Sequence, residues 1–221
     1  MAETRVAKTR TTRANTVKRS KSVSKAAGQK SVADPPKVSK TAARIVSSRQ
    51  TYKGKVFSVY TEDVIEPNGV RAVRDVVRHN GSVVIFAVDE QTNPDDPLVV
   101  VERQYRHAAG QYLLELPAGR VEPGERMLAA AKRELMEETG YRAKKWTRLL
   151  RYYASPGFVG EWMEIYVASG IVAGKAQPEE DEKIELRLLQ LSQLMKMVTS
   201  GEIHDGKTII GTMLYAAGRG R

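Results

Sequence analysis

The chain has no cysteine, and that absence removes disulfides, thiolate zinc sites and a cysteine nucleophile together. Histidine is scarce as well. His79, His107 and His204 are scattered along the sequence, which argues against a histidine metal cluster. No apolar run approaches the roughly 18 residues of a membrane-spanning helix, and no short hydrophobic core near the start reads as a secretory leader. A membrane partner is therefore not expected, and a cytoplasmic location is. An acidic excess is also missing. The net charge is +10, and residues 1–44 hold twelve Lys and Arg against Glu3 and Asp34, so the whole excess lies there. The remainder is electrically balanced and lacks the basic surface of a nucleic-acid-binding domain.

What is present fits one globular domain plus an extension. The chain has 221 residues, 41% of them hydrophobic and 28% charged. Residues 1–44 contain no aromatic residue and carry Pro35-Pro36 among Ser, Thr, Ala, Lys and Arg. Such a segment buries too little apolar surface to offset its ordering entropy, so a disordered basic tail is expected. It reads as a solubilising extension, as a weak electrostatic tether to nucleic acid or anionic lipid, or as an organelle transit peptide.

Beyond the tail, residues 45–78 show short β-like runs at 56–60 and 70–77, with the turn signal Pro67-Asn68-Gly69 between them. The runs at 82–88 and 98–105 are continuously apolar at first, as strands buried on both faces are. Shorter strands are expected at 111–117, 147–153, 162–167 and 184–189, and helices at about 125–139, 191–200 and 207–217. Strands alternating with helices at these lengths make an α/β layered domain.

Residues 119–141 carry the chemistry. In a helix ending at Thr139, with Gly140 in the left-handed position after it, Leu128, Ala131 and Leu135 form an apolar stripe. Glu134, Glu137 and Glu138 cluster beside that stripe, at the edge of the core and the mouth of a pocket. Carboxylates at these spacings repel one another, and the macrodipole disfavours anions at a helix C-terminus, so the cluster calls for a cation. Oxygen donors without thiols point to Mg²⁺ or Mn²⁺. Arg133 can orient a carboxylate through a bidentate pair.

The full spacing runs Gly119, five residues, Glu125, seven residues, Arg133-Glu134-Leu135, one residue, Glu137-Glu138, one residue, Gly140. It resembles the signature of the Nudix hydrolases, with Tyr141 departing from the bulky aliphatic residue preferred there. The resemblance implies a Nudix-type α/β/α sandwich around a mixed sheet, over residues 79–221. It also implies metal ligands at Glu134, Glu137 and Glu138 with the backbone carbonyl of Ala118, and hydrolysis of a nucleoside diphosphate linked to another moiety.

The flanks resemble the ADP-ribose pyrophosphatase branch. They do so in Glu102-Arg103-Gln104-Tyr105-Arg106, in Glu115-Leu116-Pro117-Ala118-Gly119 and in Ser155-Pro156-Gly157-Phe158, with Pro156 sixteen residues after Gly140. By that resemblance Arg106, Pro156 and Gly157 belong to the substrate site. Glu161, on a mobile loop opposite the metal, is the general base; Glu137 competes for the role, and Glu164 is a further ligand candidate. Residues 45–78 are the segment through which a homodimer forms, across which Arg74 reaches substrate. The expected substrate is ADP-ribose, with another nucleoside diphosphate sugar or a non-catalytic ADP-ribose-binding module as alternatives.

Overall fold

The structure, a computed structural model, describes residues 42–177 and 183–219. The expected disordered tail up to residue 41, with its tether to nucleic acid, lies outside the described residues, as does the acidic run Glu179-Glu180-Asp181-Glu182.

Three strands, β1 (Arg44–Lys53), β2 (Ser58–Ile65) and β3 (Arg71–Arg78), form an antiparallel sheet of their own in that order. The β2–β3 turn forms where Pro67-Asn68-Gly69 predicts it. The Asn68 side chain accepts the Val70 N–H at 3.1 Å, and the Gly69 N–H reaches the Glu66 carbonyl at 2.8 Å. Residues 56 and 57, expected in a strand, instead lie in the β1–β2 connection. β1 itself carries no apolar alternation, and all ten of its residues are exposed; pairing with β2 is what makes it a strand. Arg44, counted above with the tail, is already paired with Ile65.

The second sheet is mixed. Its strands β4 (Ser82–Asp89), β5 (Leu98–Arg106), β8 (Arg142–Tyr153), β9 (Trp162–Val172) and β10 (Ile184–Gln190) take the order β10-β5-β4-β9-β8, with β4 and β9 parallel. β4 sends alternate side chains to two cores. Val83, Ile85 and Ala87 pack toward α1 (Met127–Thr139), where they meet Ala130, Ala131 and Leu135. Val84, Phe86 and Val88 pack toward α2 (Leu191–Thr199) and α3 (Gly206–Arg219), with Leu191, Leu194 and Ile209. Each fully buried aliphatic or aromatic side chain of this kind contributes about 1.5–3 kcal/mol. Helices on both faces of a mixed sheet make the expected α/β/α sandwich. No helix among the described residues is long and apolar enough to cross a membrane.

One irregularity of this sheet builds the site. β4 and β5 pair only at Val88↔Val99 and Asp89↔Leu98, then diverge. β6 (Gln111–Glu115) continues beside β5, and β7 (Ala118–Arg120) pairs with the start of β4. The chain between β6 and β7 crosses the gap, where the Pro117 carbonyl accepts the Ile85 N–H at 2.8 Å. The stretch that begins at Gly119 therefore opens on a short strand, which is too brief to show any sequence periodicity.

Candidate active site

α1 begins at Met127, two residues later than the periodicity predicts. The Glu125 N–H turns back to the Glu122 carbonyl at 3.0 Å, and its carboxylate leaves the helix for Arg133. Leu128, expected on the buried stripe, is 37% exposed because it borders an open cavity shared with Arg148, Arg151 and Trp162; the buried face is carried by Ala130, Ala131, Leu135 and Glu138. Gly140 ends the helix at φ +74°, its N–H on the Met136 carbonyl at 2.9 Å. A Cβ on Gly140 would lie 2.6 Å from the Ala176 nitrogen. That close passage lets the Gln177 N–H donate to the Glu137 carbonyl at 2.8 Å, which satisfies one of the last carbonyls of the helix.

Arg133 organises the acidic cluster. Its Nε donates to Glu125 at 3.1 Å, and one terminal nitrogen donates to Glu134 at 2.8 Å and to Glu137 at 3.0 Å. The other donates to Glu125 at 3.0 Å and to the Arg120 carbonyl at 2.9 Å. These contacts use all five N–H groups of the guanidinium. The hydrogen bonds that Arg133 donates to Glu125, Glu134 and Glu137 hold its pKa well above the ordinary value, and the bond from Arg133 holds Glu125 below its own. With every donor engaged, Arg133 is directed at the carboxylates and the Arg120 carbonyl.

Glu138 is 4% exposed and accepts the Ala118 N–H at 3.1 Å, which ties the helix to β7. A Cβ on Gly119 would fall 1.9 Å from the Glu134 carboxyl carbon, so this glycine is the cradle of that carboxylate. Among the described residues no three His, Asp or Glu side chains already converge as a metal cage. The donor set nevertheless fits a hard divalent cation. Glu134, Glu137 and Glu138 lie along one edge of the helix, Glu138 on the Ala118 N–H and Glu134 against Gly119, and the single charge of Arg133 is shared between Glu134, Glu137 and Glu125.

A cavity of ≈ 640 Å³ opens at this edge, within the roughly 300–1,000 Å³ of ligand pockets. Ala118, Gly119, Arg133, Glu134, Glu137 and Arg106 all contribute to its wall. Arg106, at the end of β5, forms a bidentate pair with Glu115 at 2.9 and 2.8 Å. Burial works against the charged guanidinium, but Glu115, with the charges of Glu102 and Glu138, outweighs it and raises the Arg106 pKa. Burial likewise pushes Glu115 up, while the Arg106 hydrogen bond and the charge of Lys207 more than offset it, leaving Glu115 below the ordinary carboxylate value. A lowered carboxylate pKa gives stability that is complete above the unfolded value, about 4.3, and is lost as pH falls through the folded one. Glu115→Gln is therefore expected to melt below wild type by a constant margin above about pH 5, and by a shrinking margin in stronger acid. A margin independent of pH, followed by calorimetry, would disprove the assignment.

The other expected residues are less gathered. Glu161 does not line this cavity. It accepts the Ser82 hydroxyl at 2.6 Å and lies 3.5 Å from Nδ1 of His79, which does line it. Its loop, expected to be mobile, is tied to β3 by Val77 N–H to the Phe158 carbonyl and Gly160 N–H to the Val77 carbonyl, both 2.8 Å. Pro156 and Gly157 are outside the cavity wall, and Arg74 pairs with Glu66 at 2.7 Å on the N-terminal sheet. Glu164 is buried between Arg151 and Tyr166, in a neighbouring cavity of ≈ 610 Å³ on the far side of the Glu122-Pro123 loop. Lys55, Asn80, Glu122 and Gln177 line the main cavity and carry no motif that marks them for it. Lys55 arrives from the β1–β2 connection, and a lone lysine after a glycine gives no sequence signal for that placement.

Comparison with known proteins agrees with this geometry. The NUDIX domain profile matches residues 78–209. The ADP-ribose pyrophosphatase of Bacillus subtilis (strain 168) is 36% identical over 167 residues, which cover 75% of this chain and 88% of that protein. The methanol dehydrogenase activator of Bacillus methanolicus is 36% identical over 169 residues, covering 76% and 89%. A crystal structure of an ADP compounds hydrolase has the same fold, with a TM-score of 0.69 at 24% identity over 81% of this chain and 97% of that one. Hydrolases of this family depend in general on a divalent metal. With its glycine-bounded acidic helix set on one face of a mixed sheet and the profile spanning more than half its length, the chain belongs to the NUDIX family.

Proposed function

We propose that this NUDIX pyrophosphohydrolase cleaves ADP-ribose to AMP and ribose 5-phosphate as a cytoplasmic homodimer, with Mg²⁺, or Mn²⁺ in its place, as the metal. The likeness to ADP-ribose pyrophosphatases supports the substrate, and the site supports the chemistry. The observation that carries it is the sharing of one cavity by Arg106 and the Glu134 and Glu137 carboxylates. A planar cationic fork beside a cluster of oxygen donors suits a diphosphate that arrives with a divalent ion.

Glu134, Glu137, Glu138 and the Ala118 carbonyl would hold the ion, which when bound offsets phosphate charge and lowers the pKa of a water. Arg106 binds the diphosphate. A carboxylate takes the proton of the attacking water, the water oxygen bonds to phosphorus, and the anhydride P–O bond breaks. Glu137 lines the cavity, which supports it as that base. Glu161, held by Ser82 and 3.5 Å from the cavity-lining His79, is the competing candidate for that base.

The exposed strand β1 and the exposed Ile45, Val46, Tyr52, Val70 and Val73 on the N-terminal sheet support a homodimer. Arg74 on that sheet would then serve the partner's site.

The test is turnover with Mg²⁺ over a panel of ADP-ribose, ADP-glucose and GDP-mannose, with products separated by chromatography. ADP-ribose is expected to have the highest kcat/KM and to yield AMP and ribose 5-phosphate. A preference for another nucleotide sugar moves the substrate. Tight binding of ADP-ribose without turnover of any of them makes the chain a binding module.

A further inference from the structure

Glu115 is 1% exposed and stands directly opposite Glu102, itself fully buried, in the β5–β6 register. Two buried carboxylates side by side on one sheet face repel strongly and require cations. Arg106 supplies one. The other comes from a distant part of the chain: Lys207 in the first turn of α3, whose Nζ contacts the same Glu115 oxygen that a terminal nitrogen of Arg106 uses. Lys207 also reaches Asp205 at 3.0 Å.

The turn that carries Lys207 is itself pinned. Asp205 caps α3 by accepting the Thr208 N–H at 3.0 Å and its hydroxyl at 2.6 Å, and Thr208 Oγ1 accepts the Leu116 N–H at 2.8 Å. The start of α3 is thereby stapled to the two residues, Glu115 and Leu116, that end β6 and lead into the crossing toward β7.

We propose that Lys207 is a positioning residue for the substrate's diphosphate, sharing the buried Glu115 carboxylate with Arg106 so that the outer edge of Arg106 stays cationic and directed at the cavity. The inference rests on Arg106 as a substrate contact. Nε and one N–H of a terminal nitrogen of Arg106 are committed to Glu115, and the remaining N–H groups belong to the edge away from it. Without Lys207, Arg106 alone would neutralise Glu115. With Glu102 and Asp205 still anionic beside that pair, the cluster would become more negative by one full charge, and the cavity would lose the positive edge that recognises phosphate.

The test is binding of ADP-ribose to the full chain in EDTA, by calorimetry, with KM and kcat measured separately in Mg²⁺. Lys207→Met is expected to weaken Kd and raise KM by about tenfold, the loss associated with a charge-assisted hydrogen bond, while kcat changes less than about threefold. Lys207→Arg restores binding to within about threefold, since it keeps a cation on Glu115. Adding Lys207→Met to Arg106→Gln weakens binding no further than Arg106→Gln alone, because the lysine acts through the arginine. Wild-type affinity in Lys207→Met, or a loss that adds in full to that of Arg106→Gln, overturns the proposal. Unchanged binding in Arg106→Gln overturns instead the reading of Arg106 on which it depends. If Lys207→Met does not fold, Glu115→Gln/Lys207→Met removes the buried charge with its partner. That double variant leaves Arg106 with no carboxylate to neutralise it, so it is expected to bind within about threefold of wild type, and a loss of about tenfold or more in it overturns the proposal equally.

Discussion

Glu138→Gln loses at least about 100-fold in kcat, the scale on which preorganised charge at a reacting centre is felt, and it melts within about 3 °C of wild type. The two halves of that result have separate causes. The amide oxygen of the substituted side chain keeps the shape of the carboxylate and still accepts the Ala118 N–H now seen at 3.1 Å, so the link between α1 and β7 survives. The charge does not survive. In the free protein, removing this anion gives up its attraction for Arg106 but relieves its repulsion with Glu134, four residues before it on the helix, and the two changes oppose each other in the melting temperature. Adding Mg²⁺ separates the two effects: wild type is stabilised by an ion that binds its folded state, and the variant responds weakly or not at all. Activity near wild type together with a full Mg²⁺ response would remove Glu138 from the metal site.

Gly119→Ala produces a comparable loss of activity through geometry alone. The new methyl would be placed 1.9 Å from the Glu134 carboxyl carbon and 2.1 and 2.2 Å from its oxygens, all far inside contact distance. The obstructed atoms are the far end of a flexible side chain, so the carboxylate swings aside and the backbone of β7 stays in place. The expected outcome is a fall in kcat of about 100-fold with weakened Mg²⁺ dependence, alongside a change in melting temperature of only a few degrees, about 1–2 kcal/mol. Titrating Mg²⁺ against initial rate reads the first effect, and thermal unfolding in EDTA reads the second. A variant with normal Mg²⁺ dependence would show that Glu134 does not need the space above Gly119. A variant that fails to fold would place the role of Gly119 in the β4–β7 pairing instead.

Both variants lie in the stretch whose meaning is legible in the sequence, and the reason is the short range of the interactions that shape it. Glu134, Glu137 and Glu138 lie within four residues of one another, and a helix places such neighbours on one face whatever surrounds it. The unbroken apolar runs of β4 and β5 are legible for a similar reason: a strand covered on both faces has no polar side to show. β1 is not legible, because a fully exposed strand has no alternation and exists only through its partner β2. β7 has three residues, fewer than any period needs. Leu128 matches the apolar stripe by spacing and is exposed because it borders an open cavity between α1 and the β8–β9 strands, a matter of layer geometry that spacing does not contain.

Residue types and local spacing thus determined that a cation-binding acidic helix stands at the edge of an α/β core. They also supplied the likeness to a family that hydrolyses diphosphates. Only the tertiary structure decided how those groups are held. Arg133 takes up all five of its donors because the loop before α1 returns Glu125 and the Arg120 carbonyl to it. Glu161 rests on Ser82, 79 residues away, and its loop is anchored to the N-terminal sheet. Lys207 meets Glu115 across 92 residues of chain, because β4 and β5 part and α3 closes over the end of β6. Such contacts arise from the packing of whole layers, and no local pattern of residues encodes which distant side chain a buried carboxylate will find.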